Sequence, residues 1–193
     1  ILVPQSPLFS PVLVRLPVRE KQVWLTIDDG PSHETGAILD LLDQYQAKAT
    51  FFLVAERAAA HPELAREILH RGHGIGNHSC SHPQAWFWAL GPRRMAAEID
   101  QAQTLLHEIT GQRPRWFRAV VGMANPFVSA PLKRNGLARV AWSARGFDGV
   151  AGDVGKAVSR IADKLHPGAI VLLHALRGEA RARAGGGIAV QVL

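Results

Sequence analysis

A handful of polar residues in this chain have the types and spacing for chemistry. Asp28 and Asp29 are adjacent and run into Gly30-Pro31. If the preceding strand continues through them, their side chains point to opposite faces, so one carboxylate can ligate a metal and the other stays free as a base. Taken alone, Asp-Asp-Gly-Pro is better read as a turn. His78 and His82 stand four apart in Asn77-His78-Ser79-Cys80-Ser81-His82-Pro83. On a helical turn such a pair shares one face. Imidazole nitrogen suits zinc, and two histidines with one carboxylate match the three protein ligands of a catalytic zinc. A serine-rich loop with two incidental histidines is the other reading, because the chain has nine His to place. His174 follows the apolar run Ile170–Leu173, where an imidazole suits a general acid, although a lone histidine there is more often a core or rim residue. Arg118, after Trp116 and Phe117, can clamp a carboxylate through a bidentate pair or form a surface ion pair.

The elements that must position these groups alternate along the chain. Val23–Ile27, Ala49–Leu53, Gly74–Asn77, Trp116–Arg118, Ala138–Trp142 and Ala169–Leu173 read as short apolar strands. Between them the spacing predicts helices from Thr35 to Tyr45, His61–Arg71, Pro92–Ile109, Val128–Asn135 and Gly155–Leu165, with Thr35 as a cap. Strand–helix alternation argues for an α/β fold with a parallel sheet. The number of repeats fits an incomplete (β/α) barrel better than an open doubly wound sheet, and no glycine-rich phosphate loop follows the first strand. In a barrel the chemistry sits at the carboxyl ends of the strands. Asp28-Asp29, His78…His82, Arg118, Asp148 and His174 all fall there.

The chain has 193 residues, enough for one sizeable core, with 47% hydrophobic and 20% charged residues. That excludes a disordered chain, a collagen and a disulfide scaffold. Cys80 is alone and cannot form an internal disulfide. No apolar run approaches the roughly 18 residues of a spanning helix. The net charge is +6, yet the arginines are scattered, with small clusters at Arg93–Arg94, Arg113–Arg118 and Arg177–Arg183. No long basic run interleaves with aromatics, so a solvated basic surface is preferred over a nucleic-acid interface. Residues 1–20, with Pro4, Pro7, Pro11 and Pro17, read as an extended lead-in, and residues 21–193 as one domain. The chain opens at Ile1, which fits a removed targeting or anchor segment and favours an extracytoplasmic or envelope-associated location.

In this order the residues resemble the polysaccharide deacetylase family, also called the NodB-homology domain or carbohydrate esterase family 4. The first motif appears as Thr26-Ile27-Asp28-Asp29-Gly30, the second from His78 to His82, and the last as Leu172-Leu173-His174. Ala49-Thr50-Phe51-Phe52 and Gly72-His73-Gly74-Ile75-Gly76-Asn77 also look like the family. The third motif keeps only its arginine and glycine in Arg118-Ala119-Val120-Val121-Gly122. The fourth aligns with Arg145-Gly146-Phe147-Asp148-Gly149 and keeps Asp148. The family usually ends with a further helix and strand, which the resemblance implies are lacking before Leu193.

The resemblance implies hydrolysis of an N-acetyl group on an N-acetylglucosamine-type glycan. Asp29, His78 and His82 would hold a divalent metal, most simply zinc. Asp28 would be the base, Arg118 its support, Val121 an oxyanion donor through its backbone N–H, and His174 the general acid, oriented by Asp148. Trp86 and Trp88 follow the metal motif and suit sugar stacking as well as rim packing. The remaining histidines, such as His73 and His107, are assigned to structure or surface. Two rivals share these residues: an amidohydrolase acting on a small non-sugar N-acyl compound, and a non-catalytic glycan-binding module.

Overall fold

A computed structural model describes residues 3–148 and 153–175. Eight strands form one sheet: β1 (Val12–Leu13), β2 (Trp24–Gly30), β3 (Ala49–Leu53), β4 (Gly74–Asn77), β5 (Trp116–Phe117), β6 (Ala138–Val140), β7 (Ala144–Arg145) and β8 (Ile170–His174). Their order is β1-β6-β5-β4-β3-β2-β8-β7, and every neighbouring pair is parallel. Among the described residues six α-helices accompany them: α1 (Thr35–Gln44), α2 (Ala55–Ala60), α3 (Pro62–His70), α4 (Pro92–Thr110), α5 (Ser129–Arg134) and α6 (Val154–Ala162).

The strand order forces the sheet to curl. β6 and β7 lie six positions apart in the order, which in a flat sheet is roughly 29 Å at the usual strand spacing. Only Ala141–Ser143 joins them, and the step from Val140 to Ala144 spans at most about 14 Å fully extended. The sheet therefore bends into a half-barrel whose two ends are bridged by this short crossing. The expected incomplete barrel is found. The expected Ala138–Trp142 strand is shorter, Ala138–Val140, and a separate two-residue strand, β7, follows at the far edge of the sheet.

Period-two alternation sorts the side chains. Leu25, Ile27, Phe51, Leu53, Ile75, Val171 and Leu173 pack outward against Ile38, Leu39, Leu42, Ile68 and Leu106 of the helices. Trp24, Phe52, Val140, Trp142, Ile170 and Leu172 cluster in the interior. Gly76 is there because a Cβ would lie 2.6 Å from two Phe52 ring carbons.

Several elements differ from the expectation for local reasons. The lead-in, expected to be extended, turns at residues 4–5 and bends at 8–10, and Val12–Leu13 pairs with β6 and Arg15 bridges Ala169, so part of it completes the sheet. α1 begins as expected, yet Thr35 does not cap it; its hydroxyl accepts from the Ser32 N–H at 2.8 Å. α2 was not expected; its first amides, Ala55 and Glu56, donate to the Ser79 and Cys80 carbonyls. A 3-10 turn, Pro126–Val128, takes the start of the helix expected at Val128–Asn135. The Arg177–Arg183 cluster and the expected lack of a closing unit fall outside the described residues. Among the described residues no helix is long and apolar enough to cross a membrane.

Candidate active site

The carboxyl ends of β2, β4, β5 and β8 converge. β2 does not continue regularly through the acidic pair: its register with β3 shifts between Asp28 and Gly30, and Asp29 has φ +69°. This bulge corrects the expected opposite-face geometry. Both carboxylates turn toward His78, with Asp28 Oδ2 at 3.8 Å and Asp29 Oδ1 at 3.4 Å from its Nε2. The Asp29 carbonyl is held by Arg57 Nη1 at 2.6 Å.

The histidine pair is likewise not on a helix. Residues 79–82 form a turn in which Ser79 (φ +72°) and His82 (φ +56°) take left-handed backbone conformations. Non-glycine residues hold such conformations where the surroundings impose them, which is common at functional sites. The turn is pinned from three sides. Glu98 on α4 accepts from the Cys80 and Ser81 amides and from the Ser81 hydroxyl. Asn77 Oδ1 accepts from the Ser79 N–H, and the Ser79 hydroxyl accepts from the His82 N–H. The two imidazole rings end 5.1 Å apart.

His78 Nδ1 lies 2.9 Å from the Arg118 carbonyl. A carbonyl only accepts, so Nδ1 carries a proton and in the neutral ring Nε2 keeps its lone pair toward Asp29. His82 Nε2 is 2.9 Å from the same Asp29 oxygen. The donor atoms of Asp29, His78 and His82 all lie within 4.8 Å of one another. A second bond that fixes the tautomer of a ligating histidine is the usual support of a metal site. The three donors, one carboxylate and two imidazoles, therefore fit a divalent cation.

The electrostatics agree with that donor set. Burial opposes ionisation of Asp29, but the hydrogen bonds with His78 and His82 outweigh it and hold the carboxyl well below the usual range. Burial also disfavours a charged His78, and Asp28 and Asp29 overcome it, so its pKa is raised. Metal binding at this site would displace a proton.

Arg118 is fully buried, stacked 4.2 Å from the centre of the Phe52 ring. Its Nη1 donates to Asp28 Oδ1 at 2.7 Å and to the Thr26 hydroxyl at 2.8 Å, and its Nη2 donates to the Ala141 carbonyl at 3.0 Å. Burial lowers the pKa of this guanidinium, and the Asp28 carboxylate opposes the shift. One Asp28 oxygen is thus occupied by Arg118 while the other faces the metal-site residues.

On the neighbouring strand, β8, His174 pairs in register with Asp28. Asp148 clamps it twice: Oδ2 accepts from the His174 backbone N–H at 2.6 Å, and Oδ1 meets Nδ1 at 3.0 Å. Burial would lower the His174 pKa, but the Asp148 carboxylate prevails and raises it to about 9. Val121 follows Arg118 in a short turn with φ +49°. Trp86 and Trp88 are exposed at 67% and 37%, on either side of the fully buried Phe87. Asn125 ties the Trp88 and Leu90 carbonyls to the segment bearing the exposed Phe127.

The structure thus brings together Asp28, Asp29, His78, His82, Arg118, Asp148 and His174. Sequence reasoning did not single out Glu98, Arg57 or Asn77. Only Asn77, inside the quoted histidine segment, carried a local signal; Glu98 lies mid-helix and Arg57 in a helix that was not foreseen.

Comparison with known proteins gives the same picture. Among curated proteins, a chitooligosaccharide deacetylase from Bradyrhizobium sp. (strain ANU 289) is 36% identical over 156 residues, 80% of this chain and 70% of that protein. A solved peptidoglycan N-acetylglucosamine deacetylase superposes with a TM-score of 0.83 at 27% identity, covering 94% of this chain and 82% of that one. A family 4 carbohydrate esterase pseudoenzyme from Bacillus anthracis superposes at 0.79 with 27% identity, over 88% of this chain and 59% of its own. This chain thus spans about three-fifths of that neighbour. The family model described as polysaccharide deacetylase matches residues 15–140. That span is well over half of the chain and contains Asp28, Arg118 and the candidate metal donors Asp29, His78 and His82, so the chain belongs to the polysaccharide deacetylase family, a family of metal-dependent hydrolases.

Proposed function

We propose that this protein hydrolyses the N-acetyl group of an N-acetylglucosamine-type glycan, releasing acetate and leaving a free amine. One observation carries the reading: the convergence of Asp29, His78 and His82 adjoins an arginine-held carboxylate, Asp28, whose register partner on β8 is an aspartate-clamped imidazole, His174. The named relatives, which are deacetylases of chitooligosaccharide and of peptidoglycan N-acetylglucosamine, support the substrate class.

Asp29, His78 and His82 would hold a divalent cation, zinc by its preference for this donor set, which when bound polarises the acyl oxygen and acidifies water. Asp28 takes the proton of the attacking water on the oxygen that Arg118 leaves free. Arg118 keeps that carboxylate ionised and fixes its orientation. The Val121 backbone N–H donates to the oxyanion as the acyl carbon becomes tetrahedral. Asp148 engages the His174 backbone and Nδ1, so Nε2 is the ring position left to give a proton to the departing amine. The C–N bond breaks, the water oxygen stays on acetate, and the nitrogen leaves as the amine. Trp86 and Trp88 offer exposed faces on which sugar rings can stack.

The test is acetate release from N-acetylglucosamine oligomers and from peptidoglycan fragments by metal-replete protein, with Asp28→Asn as the control. Acetate from the wild type and its near-complete loss in the variant are expected. Absence of release from every glycan, with release from simple non-sugar amides, would overturn the reading. Tight glycan binding without any acetate would favour a binding module.

A further inference from the structure

Between the segment of β7 and the C-terminal part of α6 the surface opens into a groove of about 400 Å³ whose lining includes Trp142, Arg145, Phe147, Arg160, Asp163 and Lys164. Its charge is unbalanced, with three cations against the single carboxylate of Asp163. Among the described residues none of the three cations has a carboxylate oxygen within 4.0 Å. Arg71, Arg118 and Arg134, by contrast, each sit on at least one aspartate. The carboxylate nearest in sequence to Arg145 is Asp148, and both of its oxygens are committed to His174.

Two of the three cations, Arg145 and Arg160, face one ring. The Arg145 guanidinium carbon lies 3.8 Å from the Phe147 centroid and 5.4 Å from that of Trp142, and the Arg160 carbon lies 5.7 Å from Phe147. Stacking fixes the plane of a guanidinium while leaving its edge N–H groups for a planar anion. Phe147 is 44% exposed and has φ +60°. An exposed aromatic in a left-handed conformation is an unfavourable local choice. Its effect is to put the ring in the groove while the next residue, Asp148, turns inward to the general acid. The groove is thereby one residue from the catalytic wall.

We propose that this groove binds an anionic group, a carboxylate or phosphate, carried by the glycan near the N-acetyl sugar being hydrolysed. The inference rests on the glycan deacetylase reading and adds that the preferred substrate is acidic. Arg145 and Arg160 grip the anion, Lys164 adds to the field, and the apolar faces of Trp142 and Phe147 line the groove beneath them.

The test measures binding, with catalysis disabled by Asp28→Asn, for three oligosaccharides of matched length. One is a neutral N-acetylglucosamine oligomer, one carries a lactyl ether carboxylate on alternate residues, and one carries a phosphate ester. At low salt at least one acidic oligomer is expected to bind about tenfold more tightly than the neutral one, the scale of a charge-assisted contact. Which acidic oligomer gains identifies the anion. The preference should vanish in Arg145→Gln/Arg160→Gln/Lys164→Gln and shrink sharply at about 1 M salt, where screening acts over roughly 3 Å. Equal affinity for all three oligomers, or a preference that survives the triple substitution, overturns the proposal. Acetate release by the wild type is measured separately. Its absence defeats the deacetylase reading, while the charge preference is still decided by binding.

Discussion

Replacing Asp148 with asparagine isolates the step in which the amine leaves. The carboxylate accepts from two donors of the same residue, the His174 amide and Nδ1–H. An asparagine side chain has one oxygen for the two and must turn its NH₂ toward the other. The protonated ring loses its main counter-charge, and burial, which opposes protonation, is then offset only by the weaker pull of Asp28 and Asp29. The His174 pKa should then fall from about 9 toward or below its ordinary 6.5. A drop of that size is about 3 kcal/mol between the two protonation states.

The sign follows from the role. A general acid acts protonated, so a raised pKa keeps His174 competent up to about pH 9 and activity declines above it. In Asp148→Asn the same decline should begin near pH 6.5. At pH 8 the protonated fraction falls about 30-fold, whereas at pH 6 it changes by less than about twofold. The assay is the pH profile of kcat/KM for acetate release, both proteins metal-replete so that the cation's effect on the ring is common to both. NMR titration of the His174 ring gives the pKa directly. A loss of activity equal at pH 6 and pH 8 would refute the proton-donor argument and leave Asp148 as a structural clamp.

Other perturbations address the remaining parts of the site. Purified protein should hold about one divalent metal, and His78→Ala or His82→Ala should empty it; unchanged metal content by elemental analysis would remove the donor assignment. Glu98→Ala frees the Cys80 and Ser81 amides, so metal affinity should weaken about 10–100-fold while the donors themselves remain, as measured by competition with a chelator. His174→Ala should keep its metal and lose amide hydrolysis far more than hydrolysis of an activated ester, whose leaving group needs little protonation; equal losses would contradict the acid role. Gly76→Ala puts a methyl group 2.6 Å from the Phe52 ring, which backs Arg118. It should destabilise the fold by about 1–3 kcal/mol, and an unchanged melting temperature would show that the ring can move away freely.

What the sequence made legible was what local patterns encode. Apolar runs marked β2, β3, β4 and β8, and the polar residues ending β2, β4 and β8 marked the site. The parts it hid depend on contacts between distant segments. β7 has two residues, and it is a strand only because the crossing from Val140 carries the chain to the far edge beside β8. The bulge at Asp29 and the turn at His82 are left-handed conformations that neither residue favours by itself. They persist because Arg57 grips one backbone and Glu98 and Asn77 grip the other. Arg57 and Glu98 sit 17 to 28 positions from what they hold, in segments with no motif of their own, while Asn77 lies two residues before the Ser79 amide it holds. The direction of the His174 shift was hidden for the same reason. Burial and a neighbouring carboxylate push oppositely, and the outcome turns on whether Asp148, 26 residues away, reaches Nδ1. The motif supplies the reactive atoms, and unmarked residues in α2 and α4 hold the strained backbone that makes those atoms converge.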